Sequence, residues 1–444
     1  GQAGIPLAYA LPEAGKRVLL VERKHLGGSC VNFGCTPTKA AITSARLAHL
    51  ARRGAEFGLR IPTVDVDFAA VIRRARDIVD SQRAGIERGL SGKENPKLVA
   101  GHARLDGRDG ERFRIAAGGE TFLADQVVLD TGTRSAIPPI DGIGGVDVIH
   151  AGNWLDTTEL PARLIVIGGG VIALEMAQFY RRLGSEVVVV EAGPQIAATE
   201  DGDVAAFLLD LLEREGIEFH LEAKIERIEK LGDGVVVHIA GLGSIAGTHL
   251  FVAAGRTANT DDLGLHSVGL TTNRGFLTVD ARLATSVAGI WAAGDIRGGP
   301  MFTHTAWDDH RVLLSQIAGD GARTTERVVP YAIFTDPEVG RTGMTEAQAR
   351  KSGKAIRVAR FEIRRNSKAL EIGEPDGFIK VIADAGTGRL LGAAVVCHEA
   401  AELVHVYIDL MNAGASYAVI RDAVYIHPTL SEAVQSAASM LEEG

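Results

Sequence analysis

Two of the chain's three cysteines, Cys30 and Cys35, stand in one glycine-flanked stretch, GGSCVNFGCTPTKA (27–40); the third is Cys397. Four chemistries compete for such a pair. A structural zinc site needs about four ligands, commonly supplied as CxxC pairs. One further cysteine and no nearby histidine cluster do not provide them. Two inert buried thiols and a static disulfide are the bland alternatives. The fourth is a redox-active dithiol. The spacing of alanine and leucine in TKAAITSARLAHLARR predicts a helix in the stretch after Cys35, with Pro37 suited to its first turn. A thiol there meets the positive end of the helix dipole, which favours thiolate. The pair alone leaves these readings open.

The elements that must position the thiols emerge from an internal repeat. GQAGIPLAYALPEAGKRVLLVE (1–22) matches GVIALEMAQFYRRLGSEVVVVE (170–191) without a gap, Gly1 on Gly170, Gly4 on Ala173, Gly15 on Gly184 and Glu22 on Glu191. Each copy reads as a small-residue turn, an amphipathic helix, a glycine break and a β-branched strand ending in Glu. That is the phosphate-binding half of a Rossmann unit. The second copy is complete: a strand at 164–167, then Gly168, Gly169, Gly170 and Ala173. Gly168 allows the tight turn, Gly170 lets backbone approach a diphosphate, and Ala173 permits close helix–strand packing. Glu191 suits a ribose 2′-hydroxyl and repels a 2′-phosphate. The first copy lacks its opening strand, so several residues are expected to precede Gly1. VVLDTGTRS (127–135) and LFVAAGRTA (250–258) form a second echo, each an apolar strand closing on a glycine, Gly132 or Gly255. Each follows strand-like alternation, at 111–123 and 234–246. Two dinucleotide-type ligands are implied.

Composition narrows the class. With 444 residues, 46% hydrophobic and 23% charged, the chain suits a globular protein of two to four domains. A net charge of −9 without a basic block offers nucleic acid no footprint. No run of about 18 apolar residues predicts a membrane span. No signal segment opens the chain, and the sparse cysteines favour a reducing, cytoplasmic setting.

At this point the motifs resemble a known family. GGSCVNFGCTPTK (27–39), IGGGVIALE (167–175), AAGRTAN (253–259), GIWAAGD (289–295) and HPTLSE (427–432), in this order, look like a flavin-dependent pyridine nucleotide–disulfide oxidoreductase. The group includes dihydrolipoamide dehydrogenase, glutathione reductase and mercuric reductase. The resemblance implies an α/β fold: two Rossmann-like domains, for FAD and NAD, and a C-terminal α+β dimerisation domain. The boundaries expected are 1–148 and 279–328 for the FAD domain, 149–278 for the NAD(P) domain and 329–444 for the interface.

By the same resemblance FAD lies on Gly1, Gly4, Glu22, Gly28, Ser29, Ala103, Thr131, Gly132, Asp295, Thr303 and Ala306. A nicotinamide cofactor lies on Gly168, Gly170, Ala173, Glu191 and Gly255. No arginine stands in 191–199 to meet a 2′-phosphate, so NADH is expected over NADPH. Cys35 is the thiolate against the flavin and Cys30 the interchange thiol. Lys39 pairs with Glu175 beside the flavin. His427, oriented by Glu432, is the acid–base; imidazole titrates near neutral pH and a carboxylate fixes its tautomer. It serves the other subunit's thiols, which implies a homodimer with shared sites. The function expected is electron transfer from NAD(P)H through FAD and Cys30–Cys35 to a disulfide, in the manner of dihydrolipoamide dehydrogenase. The alternatives are another disulfide reductase, a mercuric reductase, or a non-catalytic flavin-binding sensor or partner subunit. No resident metal is expected.

Three features depart from the pattern. The chain ends SAASMLEEG, without the vicinal cysteines of well-known mercuric reductases. Phe33 and Thr38 differ from a typical lipoamide enzyme, and packing is the reading for Phe33. Asp130 stands where a small residue is usual, a charge that burial makes costly without a partner. Cys397, at the end of an apolar strand, reads as a buried structural thiol.

Overall fold

The computed structural model describes residues 1–441. Its fold class is the α/β arrangement expected. Both copies of the repeat fold alike. Helix Gly4–Glu13 leads through Gly15 (φ +78°) to strand Leu19–Glu22, and helix Val171–Leu183 leads through Gly184 (φ +124°) to strand Glu186–Val190. A positive φ at the break costs glycine little, which is why glycine stands there in both copies.

In the second copy five parallel strands form one sheet, in spatial order Ile217–His220, Glu186–Val190, Arg163–Ile167, His249–Val252 and Val148–His150. The strand order reverses between Arg163–Ile167 and His249–Val252, the place where such sheets bind ligands. Runs such as VVVV (187–190) are buried on both faces, as a parallel sheet requires. The alternating segment around 234–246 folds as an antiparallel meander of Ile225–Leu231, Gly234–Ile239 and Gly243–Gly247.

In the first copy, Leu19–Glu22 pairs with Lys97–Ala100, and Val127–Leu129 pairs with Ile290–Ala292, both in parallel. A meander of Arg104–Asp109, Arg112–Ala117 and Glu120–Ala124 matches the one in the second copy. The C-terminal part is a five-stranded antiparallel sheet of Tyr331–Ile333, Glu338–Gly343, Leu390–Cys397, Phe378–Asp384 and Ile356–Glu362. Helices His405–Asn412 and Ser431–Ser439 pack on it, and Cys397 lies fully buried beneath them.

One helix face ties these parts together. Glu175, Gln178 and Arg182 lie on one side of helix Val171–Leu183 and are all buried. Glu175 accepts the Phe334 N–H at 2.9 Å. Gln178 exchanges two hydrogen bonds with the Asp336 backbone, at 2.8 and 2.9 Å. Arg182 pairs with Asp336 at 2.5 Å and with Glu215 at 2.7 Å. Burial opposes ionisation of Asp336, but Arg182 outweighs it and holds the carboxyl below its usual range. Removing one member of a buried pair strands the other. Arg182→Ala is therefore expected to lower stability by about 3–5 kcal/mol, measured by denaturant unfolding. Removing the exposed Arg214, paired with Asp210 on its own helix, is expected to change it little.

Candidate active site

The loop that carries the thiols is shaped by backbone contacts. Gly28 (φ +65°) presses on the first turn: a Cβ there would lie 2.7 Å from Gly1 Cα. Gln2 donates to the Gly27 carbonyl at 3.1 Å. The Ser29 carbonyl accepts the N–H groups of Phe33 and Gly34. Asn32 donates to Leu26 and Gly28, while Trp154 Nε1 donates to the Phe33 carbonyl at 2.8 Å. The Phe33 backbone thereby helps to anchor the loop. Thr38 Oγ1 donates to the Gly34 carbonyl at 2.8 Å, closing the first turn of the helix Cys35–Arg52.

Cys35 is the first residue of that helix, and both thiols of the pair are free. Thr303, the first residue of helix Thr303–Ala318, places its hydroxyl 3.0 Å from Cys35 Sγ. Two helix N-termini thus converge on one sulfur, each contributing positive potential. The neighbouring Cys30 thiol is the largest cause lowering the Cys35 pKa to about 6; burial opposes it, and Thr303 and Lys39 assist. The same neighbour interaction, with burial, pushes the Cys30 thiol well up. In the reduced state the negative charge therefore belongs on Cys35 and the proton on Cys30.

Lys39, one turn along the helix, reaches Glu175 at 2.7 Å and sits 4.3 Å from the centre of the Phe334 ring. Glu175 is only 6% exposed, so this pair lies where its charge is poorly screened. Cys30, Cys35, Lys39, Glu175 and Thr303 thus form one group.

A second group surrounds the first glycine turn. Asp295 accepts from Thr133 at 2.9 Å and faces Arg256 at 3.6 Å; burial nonetheless raises its pKa. Asp309, fully buried, accepts the Gly294 N–H at 2.9 Å and pairs with Arg297 and Arg327, holding the turn that presents Asp295. Ala306 is buried, and its Cβ lies 3.5 Å from where a Gly294 side chain would start. Thr131 and Asn259 bond reciprocally, and the Gly132 carbonyl accepts the Asn259 N–H. Glu22 accepts from Lys24 N–H at 2.9 Å. Ala103 packs against the neighbouring core of Leu105 and Phe113. Asp130, unexplained by sequence, accepts the Gly4 N–H at 2.8 Å. A helix N-terminus, a buried carboxylate at a glycine turn and an acid at the next strand's end fit a dinucleotide such as FAD.

The third group lies at the strand-order reversal. A cavity of about 200 Å³ is lined by Gly170, Val171, Ile172, Ala253, Gly255 and Arg256 among others. A Cβ at Gly170 or Gly255 would meet nothing within 4 Å, which leaves backbone open to a ligand. Gly168 (φ +108°) is packed against the Ala253 carbonyl, and Ala173 is fully buried. The Glu191 carboxylate accepts from Gly169 N–H at 2.5 Å and Gly193 N–H at 2.6 Å. These residues fit a nicotinamide dinucleotide.

His427 and Glu432 stand apart from the thiols. Nδ1 of His427 lies 3.0 Å from Glu432, which also accepts the Thr429 N–H at 2.9 Å. That N–H, then His427, hold the Glu432 carboxyl below its usual range. The imidazole is 69% exposed, beside Ile426 at 79% and Val424 at 99%. Among the described residues no hydrogen bond joins this pair to Cys30 or Cys35.

Sequence reading did not foresee the Thr303 hydroxyl on sulfur, the Trp154 anchor, the Phe334 ring over Lys39 or the Asp309 support. Each comes from a distant segment without motif spacing.

The chain belongs to the pyridine nucleotide-disulphide oxidoreductase family. The family model matches residues 1–309 and its dimerisation domain residues 329–438. It is thus an FAD-dependent, NAD(P)H-linked oxidoreductase of the disulfide type. A probable pyridine nucleotide-disulfide oxidoreductase, RclA of Escherichia coli, is 32% identical over 448 residues, covering 100% of this chain and 98% of the relative. Dihydrolipoyl dehydrogenase of Thermus scotoductus is 36% identical over 452 residues, covering 100% and 96%. Among solved structures, a Cu(II) complex of the HOCl-induced flavoprotein disulfide reductase RclA from E. coli superposes with a TM-score of 0.90 at 32% identity, covering 99% of this chain and 97% of that one. LpdA from Mycobacterium tuberculosis gives 0.91 at 27% identity, covering 99% and 98%.

The thiol geometry makes a pH prediction. As pH rises through about 6, the reduced protein is expected to gain one thiolate, seen as ultraviolet thiolate absorbance and faster alkylation of Cys35. A midpoint at the ordinary thiol value of about 8.5 would contradict the geometry.

Proposed function

We propose that the protein passes electrons from NADH through FAD to the Cys30–Cys35 pair and on to a lipoamide-type disulfide, or in the reverse direction. The observation that carries this reading is the Cys35 thiolate, held at two helix N-termini beside Lys39–Glu175, with a protonated partner thiol five residues earlier. Segments 1–148 and 279–328 hold FAD, 149–278 the nicotinamide cofactor, and 329–444 the subunit interface. FAD held there would supply two-electron transfer between the nicotinamide and sulfur.

The protein's own groups do the rest. Cys30, its pKa raised, needs a base before it can attack. His427 takes that proton while Glu432 holds its other nitrogen. The Cys30 thiolate then forms a mixed disulfide and displaces one substrate thiolate, which His427 protonates. Cys35 thiolate attacks Cys30 sulfur, forming the Cys30–Cys35 disulfide and releasing the second substrate sulfur as a thiolate, which takes its proton from solvent. The substrate gains two electrons and the protein dithiol loses two.

His427 is exposed beside bare Val424 and Ile426 in the matched dimerisation domain. This supports a homodimer in which His427 serves the partner's thiols. Relatives named dihydrolipoyl dehydrogenase favour a lipoamide-type substrate. A second reading, reduction of a thiol-bound metal ion such as Hg(II), draws on the exposed dithiol and on the Cu(II) complex of the E. coli relative. The disulfide reading leads because two of the matched relatives named above, one of them a dihydrolipoyl dehydrogenase, are disulfide oxidoreductases by name. No helix among the described residues is long and apolar enough to cross a membrane, and a cytoplasmic setting fits the free thiols.

Steady-state assays with lipoamide, glutathione disulfide and Hg(II) test the choice of substrate. Cys30→Ser is expected to abolish disulfide turnover while the Cys35 thiolate persists. His427→Gln is expected to slow turnover about a hundredfold to ten-thousandfold. Full disulfide reductase activity in Cys30→Ser would refute the dithiol relay. With Glu191 directly after strand Glu186–Val190, NADH is expected to show a lower KM than NADPH; the opposite order would refute that preference.

A further inference from the structure

Asp130 has no part in the mechanism above. It follows strand Val127–Leu129 and is 13% exposed. Its Oδ2 accepts the Gly4 N–H at 2.8 Å. A Cβ at Gly4 would lie 2.9 Å from that oxygen, and one at Gly294 would lie 3.0 Å from Oδ1. The side chain therefore fills the space between the first turn of helix Gly4–Glu13 and the turn that carries Asp295. After burial and its Arg256 and Thr133 contacts, Asp295 also feels Asp130, which adds to the upward shift of its pKa. An anion thus already occupies this helix N-terminus.

The second repeat is an internal control. Aligning VVLDTG (127–132) with LFVAAG (250–255) puts Ala253 where Asp130 stands. Helix Val171–Leu183 has no side-chain cap, and a Cβ at Gly170 would meet nothing within 4 Å. One unit leaves its helix N-terminus open to a diphosphate. The other has placed a carboxylate there.

Resting on the reading that Gly1 and Gly4 bind the FAD diphosphate, we propose that Asp130 sets flavin affinity by competing with that diphosphate for the helix N-terminus at the Gly4 N–H. The chain then holds FAD more loosely than it would with a neutral residue at 130, and its loaded fraction follows FAD supply. A like charge a few ångströms from a bound phosphate in a partly buried site is unfavourable, while removing it costs only one cap.

The test is titration of flavin-stripped protein with FAD, read by quenching of flavin fluorescence. Asp130→Ala, the residue of the second repeat, and Asp130→Asn, which keeps the shape without the charge, are expected to lower the Kd for FAD about tenfold. The reciprocal Ala253→Asp is expected to raise the Kd for NADH about tenfold and leave that for FAD unchanged. Thermal unfolding of each stripped variant verifies folding, and Asn decides if Ala does not fold. Folded position-130 variants that bind FAD no more tightly than the parent would overturn the proposal and make Asp130 a simple helix cap. Failure of parent and variants alike to bind FAD would overturn it together with the reading of the flavin site.

Discussion

The buried polar face of helix Val171–Leu183 is the constraint on which the rest of the structure depends. Three side chains one turn apart, Glu175, Gln178 and Arg182, leave water together. Buried polar groups persist only when paired, because each unpaired one costs more than a made bond returns. Their partners come from two other parts of the chain: the backbone of Phe334 and Asp336 in the interface part, and Lys39 on the redox helix. Arg46, from the same redox helix, adds contacts to Asp336 and Glu374. Satisfying one helix face therefore fixes how three parts of the molecule sit, and with them the place of Lys39 beside the thiols.

The thiol chemistry follows from that arrangement. A cysteine at one helix N-terminus is biased toward thiolate; a cysteine at one and against another is biased further. The second helix, Thr303–Ala318, reaches Cys35 with its first residue while Asp309, two turns along, ties it to the Gly294 turn. The pair then divides its labour by environment. Cys35 keeps the charge, and Cys30 keeps the proton until a base removes it. Among the described residues no hydrogen bond joins the His427–Glu432 pair to either thiol, as the proposed base from a partner subunit requires.

The two repeats use one backbone device with different side chains around it. Each turn of glycines exposes a helix N-terminus, yet each is furnished differently. The second keeps it bare, with Glu191 secured by the Gly169 and Gly193 amides. The first carries Asp130 and a supporting set of Asp295, Thr133 and Arg256 drawn from three segments. The difference lies in side chains at equivalent positions rather than in the fold.

By itself the sequence determined the repeat, the glycine turns, the close spacing of Cys30 and Cys35 and the helix after them. These are legible because each rests on short-range rules: helical period, positive-φ glycine, and motif spacing within a few residues. The roles expected of Lys39, Glu175, His427 and Glu432, like the FAD-side and interface assignments, rest on family resemblance, because these residues are scattered along the chain. Tertiary structure alone decided which groups touch sulfur and which hold Asp130. Thr303 and Cys35 are separated by 268 residues and Gly4 and Asp130 by 126. No local pattern records a contact of that range; only the packing of the helices against one another brings it about.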